Sequence, residues 1–332
     1  VKHFNHVNAA SVDDAVKLLG NSRGKASLMS GGTDLLGVLK DRILSDYPET
    51  VINIKTIPDL DRISEDAEGL RIGALARLED IAQSPTVKAK YKVLAEAAAA
   101  VATPQIRRMG TLGGNLCQDV RCWYYRYPHH LGGRMICRRK GKGPCFAIKG
   151  DNRYNAILGA KSCFAVCPSD TAVALSALKA EIRIAGADGV RSVPVAGFYR
   201  PLGNVLKKDE LVTEIAVSCP PEGCRQEFMK LTQRGSVDFS MVSVASVITL
   251  RDGICVDARI TLGGVAPVPF SAVEAEQAII GKPVNEIDAE AASEAAVMNA
   301  MPLSRNAYKV EITKTLVKRA IMKGLLSGKE IS

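Results

Sequence analysis

Six of the nine cysteines in this chain of 332 residues fall between Cys117 and Cys167. No other feature constrains the fold as strongly. They stand at Cys117, Cys122, Cys137, Cys145, Cys163 and Cys167, in a Gly-rich, strongly basic stretch. Cysteines gathered in one segment of a chain with an intracellular composition point to a metal or redox site before they point to disulfides. From Arg121 to Lys161 there are ten Lys or Arg against one acid, Asp151. That local excess equals the whole net charge of +9, so the rest of the chain is balanced. Such a patch can bind nucleic acid, offset a buried anionic cluster, or steer an acidic protein partner. No recognition-helix or stacking-repeat pattern accompanies the charge, which argues against nucleic acid.

The remaining composition, 47% hydrophobic and 24% charged, is that of a soluble globular protein long enough for two or three domains. No apolar run approaches the ~20 residues of a membrane span. Val1-Lys2-His3-Phe4-Asn5 shows no secretory signal. A cytoplasmic location is expected, or a periplasmic one if a signal has been removed.

The N-terminal part alternates helix and strand signals. Ser11-Val12-Asp13-Asp14 has the form of an N-cap with an acidic first turn, and Gly20 ends that helix. Short strands are expected at Ala26–Met29, Val51–Ile54 and Leu70–Ala74. The Ala-rich run Val87–Val101 predicts one helix, stopping before Thr103-Pro104. Thr171–Leu178 predicts a short helix and Glu181–Ile184 a strand. Further on, Phe228–Leu231, Val242–Leu250 and Cys255–Leu262 predict antiparallel strands, the last two joined at Asp252-Gly253. Helices are expected over Val273–Ile280, Ala289–Ala300 and Lys309–Leu326. A meander followed by helices suggests a separate α+β domain after the linker Pro220-Pro221-Glu222-Gly223.

Two glycine loops share one logic. Ser30-Gly31-Gly32-Thr33-Asp34 follows a strand, and Gly110-Thr111-Leu112-Gly113-Gly114-Asn115 follows Arg107-Arg108. Successive glycines let main-chain N–H groups converge on an anion such as a pyrophosphate. Thr33, Thr111 and Asn115 add side-chain donors. Gly-Gly also makes ordinary tight turns, but two such loops, each beside a threonine, favour a nucleotide. Neither matches the dinucleotide or Walker fingerprint.

Ser30–Leu35, Thr111–Asn115, Pro168-Ser-Asp-Thr-Ala172 and Leu262-Gly-Gly-Val-Ala-Pro267 occur in this order. Together they resemble the FAD-binding subunit of the molybdenum hydroxylases, the xanthine dehydrogenase and carbon monoxide dehydrogenase family. The resemblance covers nearly the whole chain. It implies an α+β architecture: a two-subdomain FAD-binding fold of the vanillyl-alcohol-oxidase type over residues 1–219 (subdomains about 1–56 and 57–219), then a C-terminal domain over 224–332 with an antiparallel sheet and helices. It implies FAD held by Ser30, Gly31, Gly32, Thr33, Asp34, Leu35, Gly110, Thr111, Gly113, Gly114 and Asn115, with Thr103 and Leu211 as further contacts. By the same resemblance Asp170 meets the flavin's sugar-like hydroxyls, Lys230 lies near the isoalloxazine, and Tyr199 covers the ring. A branched side chain at Gly32 or Gly113 is then expected to expel FAD.

In plain members of that family only a short link joins the Gly-Gly-Asn loop to the Ser-Asp motif. Here Asn115 and Asp170 enclose a long insertion, about 117–165. It resembles the one in 4-hydroxybenzoyl-CoA reductases and periplasmic aldehyde oxidoreductases, which carries a 4Fe–4S cluster. Arg121-Cys-Trp-Tyr-Tyr125 and Asn152–Gly159 carry that likeness. It implies Cys122, Cys137, Cys145 and Cys163 as the four ligands, with Cys117 and Cys167 the possible substitutes. Four thiolates suit such a cluster, and nearby Arg121, Arg126, Arg134, Arg138, Arg139 and Lys140 can offset its negative charge. Zinc is the chemical alternative, although paired C-x2-C knuckles are missing. His129-His130 reads as a solvated turn rather than a ligand pair.

The expected function is electron transfer within a heterotrimeric oxidoreductase. A large subunit would carry molybdopterin and a small one two 2Fe–2S clusters. FAD here would receive their electrons, and the extra cluster would exchange them with a ferredoxin-like carrier. A stand-alone flavin oxidase is the second reading, and a metal-dependent nucleic-acid-binding protein the third.

Overall fold

The structure is a computed structural model describing residues 1–44, 46–132, 135–235 and 237–326, without the side chain of Leu326. Arg134, counted above among the basic residues, lies outside the described residues. The first layer is a three-stranded parallel sheet in the order Asn5–Asn8, Thr50–Asn53, Ala26–Met29. Parallel neighbours need crossovers, and the helices Val12–Asn21 and Leu35–Lys40 lie between the strands in sequence. Ser11 caps the first helix by accepting from the Asp14 amide.

The second layer is a five-stranded antiparallel sheet, in the order Ile63–Asp66, Gly69–Gly73, Leu211–Ser218, Glu181–Gly186, Gly189–Pro194. The helix Asp170–Ala177 is buried along its whole length. It packs between the helix Lys92–Ala99 and the C-terminal sheet, which leaves no side of it to solvent. The expected single helix over Val87–Val101 is two helices, Pro85–Lys90 and Lys92–Ala99. Tyr91 breaks the run at φ −124°, ψ 45° because its ring is fully buried and its hydroxyl bonds Glu65 Oε1 at 3.2 Å.

The C-terminal sheet runs Cys224–Leu231, Val242–Arg251, Ile254–Gly263, Phe270–Ser271, all antiparallel. Asp252 and Gly253 both adopt positive φ, as a two-residue type I′ hairpin requires. The helices Val273–Ile279, Glu286–Ala295 and Tyr308–Leu326 form the rest of this region, and the last packs on its first two strands. The helix expected over Ala289–Ala300 starts three residues earlier, because Asn285 and Asp288 form a capping box. It ends at Ala295. Among the described residues no helix is long and apolar enough to cross a membrane.

Among its described residues the insertion has no strands, only short 3-10 turns at His129–Leu131, Arg138–Lys140 and Phe146–Ile148. Its order comes from two anchors. Val120, Tyr125, Cys137, Cys163 and Ala165 pack with Val38 and Ile43 of the first layer. Its far end is tied to the C-terminal domain by buried polar groups. Asn152 Nδ2 donates to the Ala147 carbonyl at 3.0 Å, while its Oδ1 accepts from the Arg305 amide at 2.9 Å. Asn306 donates to the carbonyls of Asn155 and Ala156. Lys309 donates to those of Gly264 and Asn155. Full burial brings the Lys309 ammonium down to about 7. The stretch from Asn152 to Gly159 therefore includes a clamp between domains.

Candidate functional site

The two glycine loops touch. A Cβ on Gly31 would stand 1.9 Å from the Met109 carbonyl oxygen, so only glycine permits this approach. Gly32 turns the chain at φ +69°. The Thr111 hydroxyl donates to Ser30 Oγ at 3.0 Å and accepts from the Gly114 amide at 3.1 Å. The second loop is also fastened to the segment that follows the strand Gly69–Gly73: the amide of Leu78 bonds Gly110 O, and that of Gly113 bonds Ala74 O. A Cβ on Gly113 would meet Ala74 Cβ at 2.9 Å. Gly113 is thus a packing glycine, whereas Gly114 faces Thr111 and Ser30.

These loops wall a cleft of two lobes. The first, about 560 Å³, is lined by residues 30–35, Thr111, Gly114, Tyr199 and Leu211. The second, about 240 Å³, shares Thr33, Asp34, Thr111 and Gly114 with it and adds Gly110, Asn115, Asp170 and Lys230. Both lie in or near the size range of small-molecule and cofactor sites. Glycines and hydroxyls at the waist suit a pyrophosphate, and apolar ends suit rings, so the residues present fit a dinucleotide such as FAD. Of the residues implied from sequence, Thr103 and Gly113 do not line it. Thr103 caps the short helix Pro104–Arg107, and Ala102 and Ile106 line the cleft instead. Gln118, which no motif marked, and Pro168, the first residue of the Pro168–Ala172 motif, line both lobes.

Polar side chains in the cleft are held in defined networks. Asp170 and Lys230 form a buried ion pair at 2.7 Å; Lys230 also donates to Ala100 O at 2.8 Å, and the Ser240 hydroxyl to Asp170. Asn115 Oδ1 accepts from Ser169 at 2.6 Å and Thr171 at 2.7 Å. The Tyr199 hydroxyl donates to Leu116 O at 3.0 Å. Asp34 turns to the insertion. Its carboxylate takes Arg121 at 2.9 Å, Arg126 at 2.7 Å and the Asp119 amide at 2.8 Å. Burial lowers the Arg121 guanidinium to about 10, so it stays charged at neutral pH.

Beyond that wall is a second, smaller cavity. Cys122, Cys137, Cys145 and Cys163 line it together, with Tyr125, Arg138 and Arg139. All four are free thiols. Burial pushes the thiols of Cys122 and Cys163 up, and the neighbouring Cys145 adds to both shifts. Cys117 and Cys167 line the first lobe of the cleft instead. Among the described residues no three His, Cys, Asp or Glu side chains gather as ligands of one metal ion. Four thiols around one small cavity are the kind of donor set that takes zinc or an iron–sulfur cluster. Arg139 is held by Asp119 Oδ1 at 2.9 and 3.1 Å, and the Tyr125 hydroxyl bonds Asp119 Oδ2. His129 and His130 are exposed in a 3-10 turn.

The profile of the family described as the FAD binding domain in molybdopterin dehydrogenase matches residues 2–220. That of the CO dehydrogenase flavoprotein C-terminal domain matches residues 227–323. The chain is 34% identical to the FAD-binding subunit PaoB of an aldehyde oxidoreductase of Escherichia coli (strain K12), over 87% of this chain and 88% of that one. It is 30% identical to the glyceraldehyde dehydrogenase medium chain of Sulfolobus acidocaldarius, over 85% and 83%. Its fold superposes on carbon monoxide dehydrogenase from Hydrogenophaga pseudoflava with a TM-score of 0.79, at 28% identity and 98% coverage of both chains.

Proposed function

This chain belongs to the FAD-binding medium subunits of the molybdenum hydroxylase family, and we propose that it is the electron-transfer subunit of a heterotrimeric molybdenum enzyme, holding FAD and one 4Fe–4S cluster. The observation that carries the proposal is the pair of adjoining cavities, one lined by glycine loops and one by four free thiols. Ser30 to Leu35, Gly110, Thr111, Gly114, Asn115, Asp170, Leu211 and Lys230 would hold FAD, which supplies a centre that handles electrons singly or in pairs. Cys122, Cys137, Cys145 and Cys163 would hold the cluster, which supplies one-electron transfer. Zinc held by the same four thiols is the alternative, and metal analysis separates the two. Conversion of the organic substrate falls to a molybdopterin-bearing partner, with a 2Fe–2S subunit between. Aldehydes are the preferred substrate class, since two of the relatives are named for aldehyde oxidation. Reduction of an aryl-CoA thioester is the runner-up.

Metal and flavin analysis of the purified native complex tests this reading. About eight irons per flavin are expected, because two 2Fe–2S clusters supply four and this chain adds four. Four irons per flavin would remove the extra cluster. A flavoprotein purified without molybdenum or partners would support a stand-alone flavin oxidase.

The insertion's surplus charge bears on the external carrier. Arg121, Arg126, Arg139 and Arg153 are already paired with acids of this chain. Arg138, Lys142, Lys149 and Lys161 are exposed and remain to attract an acidic carrier such as a ferredoxin. Electron transfer to ferredoxin should therefore slow as salt rises past about 0.1 M, where the Debye length is about 10 Å. A rate independent of ionic strength would confine those charges to a local role.

A further inference from the structure

We infer that Arg139, held by Asp119 against Tyr125, is the shared charged wall of the two cavities and sets the reduction potential on both sides. The inference rests on the proposed presence of FAD and a cluster. Tyr125 and Arg139 are the residues that line both the first lobe of the cleft and the four-cysteine cavity. Their placement is enforced. Asp119 receives Arg139 through Nε and Nη2, and also the Tyr125 hydroxyl. The guanidinium lies 5.5 Å from the centre of the Tyr125 ring. The Asp119 amide is in turn fixed by Asp34 of the first glycine loop. One Arg–Asp pair therefore joins the flavin loop to the cysteine cavity through a chain of direct hydrogen bonds.

The consequence is electrostatic. A 4Fe–4S cluster with four thiolates carries two net negative charges when oxidised and three after taking one electron. A fixed cation in its wall favours the more negative state, and in a water-poor wall that preference is only weakly screened. On the other side the same cation shares the first lobe of the cleft with Tyr199, and would act on electron density added to a flavin ring placed against that tyrosine. Asp119 acts in the opposite sense by neutralising Arg139. This Arg–Asp pair is thus a two-sided setting, with opposite signs for its two members.

Dithionite titration of the native complex, read by flavin absorbance and by the cluster's paramagnetic signal, separates the possibilities. Arg139→Met should move both midpoints to more negative values and Asp119→Asn should move both to more positive ones. Arg139→Lys should stay near the parent because the cation remains. A merely structural role would not produce opposite signs. A shift at the cluster alone would overturn the link and leave Arg139 as a counter-charge of one site; shifts of the same sign in both variants would also overturn it. If Arg139→Met loses flavin or iron, the Asp119→Asn and Arg139→Lys titrations carry the test. A parent complex without the cluster signal would instead remove the reading on which the inference stands.

Discussion

Replacing Gly31 with alanine should strip the protein of FAD while leaving its iron in place. The added Cβ would lie 1.9 Å from the Met109 carbonyl oxygen and 2.8 Å from its carbon. Both are backbone atoms, so the loops must move apart rather than a side chain turning away. Separation also breaks the Thr111–Ser30 hydrogen bond across the waist of the cleft. Affinity for FAD should fall at least about tenfold, equivalent to roughly 1.4 kcal/mol of binding energy, and flavin bound per protein should fall with it. Gly32→Ala should show a smaller loss, since its cost is the strain of a positive φ of +69°, and its Cβ would meet only side chains, Leu36 the nearest at 3.4 Å. Gly113→Val should behave differently from the sequence expectation. Its clash is with Ala74 in the core, so the melting temperature should fall with the flavin. Absorbance of flavin released from the purified variants gives the first two results, and a thermal melt the third. Full occupancy in Gly31→Ala would refute the assignment of these loops.

How far the site could be read from sequence depends on what each residue does. Ser30 to Asp34 and the loop residues Gly110, Thr111, Gly114 and Asn115 line one cleft, and the sequence marks both loops because glycine at a close approach has no substitute. Strands such as Ala26–Met29 and the Asp252-Gly253 hairpin follow from local propensity and turn chemistry. Tyr91 could not be foreseen as a break, because a buried tyrosine bonded to a residue 26 positions away is a tertiary effect. Gly113 was grouped with the anion loop because adjacent glycines look alike in sequence. Only the position of Ala74 separates their roles. Asp34 reads as a loop residue facing the nucleotide, yet Arg121 and Arg126 of the insertion claim its carboxylate. The same pairings show where part of the basic excess goes, which charge counting along the chain could not reveal. Gln118 belongs to no motif, and its place in the cleft is set by the chain path alone.

Changing any one of Cys122, Cys137, Cys145 or Cys163 to serine should cost the chain a four-iron cluster while sparing FAD. The four come from separate points of the insertion, yet they line one cavity beside Tyr125 and Arg139. Desolvation raises the thiols of half-buried Cys122 and buried Cys163, so these two stay protonated at neutral pH until metal displaces the proton. A serine hydroxyl gives up its proton far less readily and is a poor ligand for iron in this setting. Iron assigned to this chain should therefore drop from about four atoms to three or fewer in each variant. Flavin content should hold, because the glycine loops that wall the cleft lie outside the insertion. Cys117→Ser and Cys167→Ser supply the contrast. Both residues line the first lobe of the cleft rather than the cysteine cavity, so iron should stay complete. Iron analysis of the six variants, each purified in its complex, decides the ligand set. Lost iron in Cys117→Ser or Cys167→Ser, with full iron in one of the other four, would reassign a ligand. Zinc in place of iron throughout would end the cluster assignment altogether.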